Sequence, residues 1–247
     1  MSDFSKITRD SFLGRFLRKA FDLVPNGVEM RILRGPLKGK RWIKGAGVNS
    51  YWLGSYESEK VKVFGKSIKE GNIVFDMGAN VGYYSLLAAD LVGPGGKVFA
   101  FEPLPSNFEY LRKNADINFC RNIFLFEVAV SRENGLAFLT FTNSLQSGLA
   151  ENGNIKVKTI SLDDWVESGK LPVPNVLKID VEGAEFLVLE GALKILKKYR
   201  PIIFLTVHNA ELHWSCSELL LSIGYQLSPI GVDNLSEAHE ILAVASK

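Results

Sequence analysis

The sequence is poor in the residues that staple or chelate a fold. It has two cysteines and three histidines in 247 residues. Cys120 and Cys216 stand far apart and belong to no CxxC pattern, which excludes a disulfide framework or a zinc knuckle and leaves two reduced thiols. No run of roughly 18 apolar residues occurs, so no membrane-spanning helix is expected. The stretch MSDFSKITRDSFLGRF carries charges through its apolar positions. That is unlike a cleaved secretion signal, and the expected location is the cytoplasm. Internal repeats, low-complexity segments and the phosphate-cradling GxxxxGK[ST] loop are lacking too. What is there is a chain that is 47% hydrophobic, enough to bury the core of one large α/β domain.

Net charge is only +2, but it is unevenly spread. Residues 1–45 carry eleven Lys and Arg against four acids. Phe12, Leu13, Phe16, Leu17, Ala20, Phe21 and Val24 recur at helical spacing with Arg15, Arg18 and Lys19 between them, and Pro25-Asn26-Gly27 ends the run. VEMRILRGPLKGKRWIK then reads as two short strands around a Gly-Pro turn. Residues 1–50 are thus expected to form a basic helix-and-hairpin appendage, and residues 51–247 the main domain. The basic excess suits a solvated helix face. It also suits peripheral contact with an anionic membrane through the helix. No RNA- or DNA-binding motif accompanies it, so no nucleic-acid partner is expected. Nothing in the pattern sets an oligomeric state.

From about residue 57 the chain becomes regular. NIVFDM, KVFAFE, IFLFEVAV, NVLKIDV and PIIFLTV read as strands. SEKVKVFGKSI, YYSLLAADLV, SNFEYLRKNADIN, LDDWVES, EFLVLEGALKILKKY and SELLLSIGY read as helices. LAFLTF and IKVKTIS are expected as hairpin strands, and two short strands close the chain. Strands alternating with helices imply right-handed crossovers and a doubly wound, mostly parallel sheet.

Ligands of such sheets sit at the carboxyl ends of the strands, where the strand order reverses. Asp76 stands at the end of the first core strand, before the turn Gly78-Ala79-Asn80-Val81-Gly82. Glycines there let a ligand approach the backbone. A carboxylate at that place favours a cationic small molecule over a pyrophosphate. The dinucleotide fingerprint needs glycine at 78, 80 and 83, and the chain has Gly78, Asn80 and Tyr83. Glu102 ends the next strand, where a carboxylate can accept both hydroxyls of a ribose.

VFDMGANVGYYS, FAFEPLPSNFEYLRKN, FEVAVS, TISLDDW and LKIDVEGAEFLVLEGA together resemble the FkbM family of S-adenosylmethionine-dependent methyltransferases, from about Tyr56 to Tyr225. The resemblance implies a class I methyltransferase, Rossmann-like fold with a seven-stranded sheet, and S-adenosylmethionine as cofactor. It puts Asp76, Gly78, Asn80 and Gly82 around the methionine part, Glu102 on the ribose and Ala129 beside the adenine. Glu57, in GSYESE, would partner the cofactor's amino group. It also implies O-methylation of a sugar, glycolipid or small hydroxylated metabolite. N-methylation of a small molecule and a non-catalytic cofactor-binding module are the alternatives. The (N/D)PP(Y/F) signature of nucleobase methyltransferases is absent at 180–183, where DVEG stands.

Methyl transfer needs alignment and, for a hydroxyl acceptor, removal of its proton. Asp180 and His208 end adjacent strands and are the expected catalytic pair, on opposite walls of one acceptor pocket. Glu182 and Glu185 read as helix-start acids and Lys178 as a structural residue. Asp180, Glu182 and His208 are ligand types that Mg²⁺ or Mn²⁺ accepts, but no HxxH, DxD or two-His spacing accompanies them and no metal is predicted. Members of the family often carry a glutamate two residues before the histidine, where this chain has Thr206.

Overall fold

The structure is a computed structural model that describes residues 24–54, 56, 58–143, 146–149 and 155–246. The expected N-terminal helix, apart from Val24, lies outside the described residues, as does Glu57. The described chain begins with the hairpin β1 (Glu29–Arg31) and β2 (Arg41–Ile43), antiparallel with Met30 opposite Trp42. Two helices follow, α1 (Ser50–Leu53) and α2 (Ser58–Ser67). Strand and helix then alternate as β3 (Ile73–Met77), α3 (Tyr83–Val92), β4 (Lys97–Phe101), α4 (Pro105–Ile117) and β5 (Ile123–Phe126). Val74, Phe75, Val98, Phe99 and Ala100 are all buried, as residues on both faces of a parallel strand between helix layers must be.

A second sheet forms from β6 (Ala129–Val130), β7 (Gly135–Asn143), β8 (Gln146–Leu149) and β9 (Ile155–Ile160), in the order β6-β9-β7-β8. IFLFEVAV, expected as one strand, is divided between the two sheets. β5 stops at Phe126 beside β4, and β6 pairs in parallel with β9, Ala129 opposite Thr159. Pairing with β9 draws the segment away from the main sheet, while Phe126 stays against Trp165 with ring centroids 5.8 Å apart.

After α5 (Leu162–Glu167) the chain re-enters the main sheet as β10 (Val176–Ile179). It continues through α6 (Glu185–Glu190), α7 (Leu193–Tyr199), β11 (Ile202–Thr206), α8 (Ala210–Ser222), β12 (Tyr225–Pro229) and β13 (Glu240–Ala245). EFLVLEGALKILKKY, expected as one helix, breaks after Glu190. The Gly191 carbonyl accepts from the Asp163 N–H at 2.8 Å and the Ser161 hydroxyl at 3.1 Å, so the turn into α5 captures the group that would have continued the helical ladder.

The main sheet has seven strands in the order β12-β13-β11-β10-β3-β4-β5, and β13 alone runs against the rest. From β3 the chain winds outward to β4 and β5, then returns to the other flank of β3 as β10. Strand order therefore reverses between β3 and β10, which opens a crevice at their carboxyl ends. Among the described residues no helix is long and apolar enough to cross a membrane.

The hairpin is tied into the same core. Trp42 is fully buried, 5.3 Å from Tyr51 and 6.4 Å from Tyr83 between ring centroids, and its indole donates to the Ala46 carbonyl. The Asn114 side chain on α4 accepts from the Ile43 N–H and donates to the Val81 carbonyl, both at 2.9 Å. One amide thus joins the hairpin, α4 and the loop after β3. We expect Trp42→Ala to cost about 3–5 kcal/mol of unfolding free energy. Urea titration measures it, and a loss under about 1 kcal/mol would mean that the hairpin is not held by this contact.

Candidate active site

A cavity of about 500 Å³ opens at the reversal point of the sheet. Gly78, Asn80, Glu102, Ala129, Asp180 and His208 line it, so six of the nine residues singled out from the sequence meet in one place. Asp76 and Gly82 do not face it, and Glu57 is not among the described residues.

The turn after β3 is shaped by close approach. Gly78 has φ 71°, and a Cβ there would stand 1.8 Å from the Asp180 carbonyl, so only glycine lets the turn lie against the end of β10. Asn80 also takes a positive φ, 51°, and its side chain accepts from the Val81 N–H. This is a conformation asparagine tolerates better than most residues. Gly82 serves packing instead: a Cβ there would meet the Leu111 side chain at 2.7 Å.

Asp76 departs from its expected place at the mouth. β3 ends at Met77, as the run NIVFDM implies, so the Asp76 carboxylate lies within the sheet layer, fully buried. It accepts from the Ser85 hydroxyl at 2.6 Å and lies 3.2 Å from Lys178 Nζ. Lys178 is itself buried. It donates to the Gly78 carbonyl at 3.1 Å and lies 3.5 Å from Asp180 Oδ2.

On the β4 side, Glu102 is 4% exposed. Its Oε2 accepts from the Asn80 N–H at 2.8 Å and its Oε1 from the Leu104 N–H at 3.0 Å. The Asn107 side chain also hydrogen-bonds this carboxyl, and the acceptor capacity left beside these three donors borders the cavity. Burial dominates its titration and pushes the carboxyl up to about 7, although the two backbone donors and the Lys178 charge pull the other way.

On the β10 and β11 side, carboxylates surround one imidazole. His208 Nδ1 lies 2.7 Å from Glu185 Oε1, which also accepts from the Gly183 N–H, so Nδ1 carries the hydrogen. His208 Nε2 faces Glu182 Oε2 at 3.3 Å and Asp180 Oδ1 at 3.7 Å, so Asp180 and His208 share one wall of the cavity and do not stand on opposite walls as expected. The Glu185 hydrogen bond, with the charges of Glu185, Glu182 and Asp180, raises the His208 pKa against the effect of burial. For Asp180, burial would raise the carboxyl, but the charges of Lys178, Lys60 and His208 outweigh it and hold it down to about 2. Glu182 is raised by burial, and the Asp180 and Glu185 charges add to that. Its backbone has φ 54°, a strained value for a glutamate and the kind of local cost that gathers at working sites.

Several of these residues were not legible in the sequence. Glu185 does begin α6, as expected of a helix-start acid, but its side chain is fully buried on His208. Lys60 on α2 lies 2.7 Å from both the Thr206 hydroxyl and Glu240, and 3.7 Å from Asp180. Glu240 sits opposite Thr206 in the β11–β13 register and accepts from its hydroxyl. A carboxylate therefore reaches that corner from the neighbouring strand. Tyr51, Tyr56, Tyr83 and Tyr84 form an aromatic wall, with Tyr51 and Tyr56 rings 4.5 Å apart and both lysines over the Tyr84 ring at 5.3 Å. The doubled tyrosine after the glycine turn was the one visible signal for it.

Comparison with known proteins agrees with this geometry. The sequence model of the methyltransferase FkbM domain matches residues 76–229. The chain is 30% identical over 150 residues to the hexuronic acid methyltransferase AglP of Haloferax volcanii, covering 60% of this chain and 61% of that protein. It is 32% identical over 162 residues to the 31-O-demethyl-FK506 methyltransferase FkbM of Streptomyces tacrolimicus, covering 51% and 62%. The chain thus spans less than two thirds of either curated relative. Among solved structures, a methyltransferase FkbM from Methylobacillus flagellatus superposes with a TM-score of 0.53 at 16% identity, over 74% of this chain and 50% of that one, which supports the fold.

The raised Glu102 carboxyl has a stability consequence. Between the ordinary value of 4.5 and about 7 the folded chain holds a proton that the unfolded chain has released. Its contribution to stability is present in full below 4.5 and is lost as pH rises through about 7. Replacing Glu102 by Gln removes that dependence and leaves one backbone N–H facing an amide, a cost independent of pH. The stability of Glu102→Gln relative to wild type should therefore improve by roughly 3 kcal/mol between about pH 4.5 and pH 8. Urea unfolding across that range measures it, and a flat difference would place Glu102 outside the buried site.

Proposed function

The chain belongs to the FkbM methyltransferase family, and on that premise we propose that it transfers the methyl group of S-adenosylmethionine to a hydroxyl of a saccharide or another small hydroxylated metabolite. One observation carries the reading. A nucleoside-type half, with a glycine turn and a buried carboxylate, and a proton-handling half, with Asp180 and His208, share a single cavity at the reversal of the sheet.

The residues present fit the cofactor. The acceptor capacity that Glu102 keeps beside its protein donors suits a ribose hydroxyl, and the turn from Gly78 to Asn80 leaves bare backbone for the methionine part. Val128 and Ala129 give an apolar edge for adenine. The tyrosine wall and the surrounding carboxylates suit a sulfonium cation. When bound, the cofactor supplies a methyl group on an already activated leaving group. The relatives' printed names support the acceptor class: one acts on hexuronic acid, the other on a 31-O position.

The chain's own task is then at the acceptor. Its hydroxyl lies against Asp180 and His208, which orient the oxygen toward the methyl and handle the charge as the proton leaves. Asp180 is held ionised by two lysines, and His208 is held in one orientation by Glu185. Tyrosine rings opposite offer flat apolar faces on which a pyranose can stack.

Incubation with S-adenosylmethionine and a panel of hydroxylated saccharides, read by mass spectrometry, should give a product heavier by one methylene with the methyl on oxygen. Asp180→Asn and His208→Ala should each lower kcat by about 10²–10⁴-fold while S-adenosylhomocysteine still binds. Unchanged turnover in both variants would remove this wall from the reaction.

A further inference from the structure

The charges beside the acceptor half do not balance among the described side chains. Lys60 has Glu240 at 2.7 Å and Lys178 has Asp76 at 3.2 Å, so each lysine near Asp180 already has a carboxylate of its own. Asp180, which both lysines also approach at 3.7 and 3.5 Å, converges with Glu182 and Glu185 on the single imidazole of His208. Five carboxylates, Asp76, Asp180, Glu182, Glu185 and Glu240, thus meet three basic groups, Lys60, Lys178 and His208, an excess of negative charge in a partly buried place that a cation would offset.

The donor atoms are arranged for one. Asp180, Glu182 and His208 each offer an atom within 4.8 Å of the others, with His208 Nε2 at 3.3 Å from Glu182 Oε2 and 3.7 Å from Asp180 Oδ1. An ion about 2.1 Å from three neighbouring octahedral ligands spaces them about 3.0 Å apart, so the two edges from His208, at 3.3 and 3.7 Å, and the Asp180–Glu182 edge, within 4.8 Å, must all contract onto a bound ion by side-chain rotation. The two oxygens of Asp180 divide their work: Oδ2 faces the lysines and Oδ1 faces His208. His208 presents Nε2 because its Nδ1–H is held by the buried Glu185, the carboxylate–histidine arrangement that fixes metal-binding imidazoles. The strained φ of Glu182 is the local cost of its backbone turn at this cluster.

We propose that Asp180, Glu182 and His208 form a site for a hard divalent cation of the Mg²⁺ or Mn²⁺ class, with Glu185 as the positioning residue for His208. Two carboxylates and one imidazole on one side of an octahedral ion leave its other positions for water or for two neighbouring hydroxyls of a saccharide. This role deepens the methyl-transfer reading and rests on it. A hydroxyl on the cation gives its proton to water. Its oxygen then forms the new O–CH₃ bond while the S–CH₃ bond breaks, the electron pair going to sulfur and leaving S-adenosylhomocysteine. An acceptor with a vicinal diol would chelate, and chelation would decide which oxygen meets the methyl.

The test is Mn²⁺ binding to the metal-depleted full chain, with free Mn²⁺ read by electron paramagnetic resonance. Wild type should bind one Mn²⁺ saturably. Glu182→Gln and His208→Ala should weaken it by roughly tenfold or more, and Glu185→Gln by roughly 10–100-fold, with circular dichroism unchanged. No saturable binding at millimolar Mn²⁺, or Glu182→Gln and His208→Ala binding as wild type does, would overturn the site. Calorimetry with S-adenosylhomocysteine on the same samples separates the two ideas. Mn²⁺ binding without nucleoside binding keeps the cation site and removes its methyl-transfer role. Nucleoside binding without Mn²⁺ overturns the cation site and leaves the methyl-transfer reading standing.

Discussion

The ammonium of Lys178 is the contact on which the rest of this structure depends. It is buried in the middle of the sheet, opposite Asp76 in the β3–β10 register, and touches Asp76, Asp180 and the Gly78 carbonyl together. A buried lysine without such partners would be very costly, and removing one partner of a buried pair typically costs about 3–5 kcal/mol. The ends of β3 and β10 are thereby fixed side by side at the place where the sheet reverses. The glycine turn that suits a nucleoside and the Asp180 wall that suits an acceptor belong to one cavity because of that lysine.

From this pin, the two halves are built by different means. The nucleoside half is backbone and one carboxylate, preorganised by close approach at Gly78 and by two N–H donors on Glu102. The acceptor half is charge held in place by charge: Lys60 and Lys178 on Asp180, Glu185 on His208, Glu240 on Lys60. The first half can be satisfied by hydroxyls, whereas the second keeps its negative excess until a cation, a sulfonium or a proton meets it.

Much of this was legible in the sequence, and the reasons differ element by element. β3, β4, β10 and β11 announce themselves because strands buried on both faces are short apolar runs. Gly78 and Glu102 were visible because a strand end followed by a glycine turn has a fixed place in such sheets. Asp76, one residue inside the end of NIVFDM, turns onto Lys178 and Ser85 instead of the mouth, since its partners come from β10 and α3 and leave no local signal. IFLFEVAV and EFLVLEGALKILKKY were read as unbroken because their breaks come from distant partners, β9 and the turn into α5. Lys60, Glu240 and the inward turn of Glu185 carry no local signal at all. They reach the cavity through α2, through the β13 register and through a hydrogen bond from His208.

The central claim is that one mouth of this sheet holds a nucleoside on Glu102 beside the Asp180–His208 wall. Calorimetric titration of the chain with S-adenosylhomocysteine, above the titration of Glu102, tests it most directly. The account predicts a single saturable site in wild type, weakened roughly tenfold or more in Glu102→Ala by loss of charged hydrogen bonds. Absence of heat in wild type, or an affinity untouched by Glu102→Ala, would contradict it.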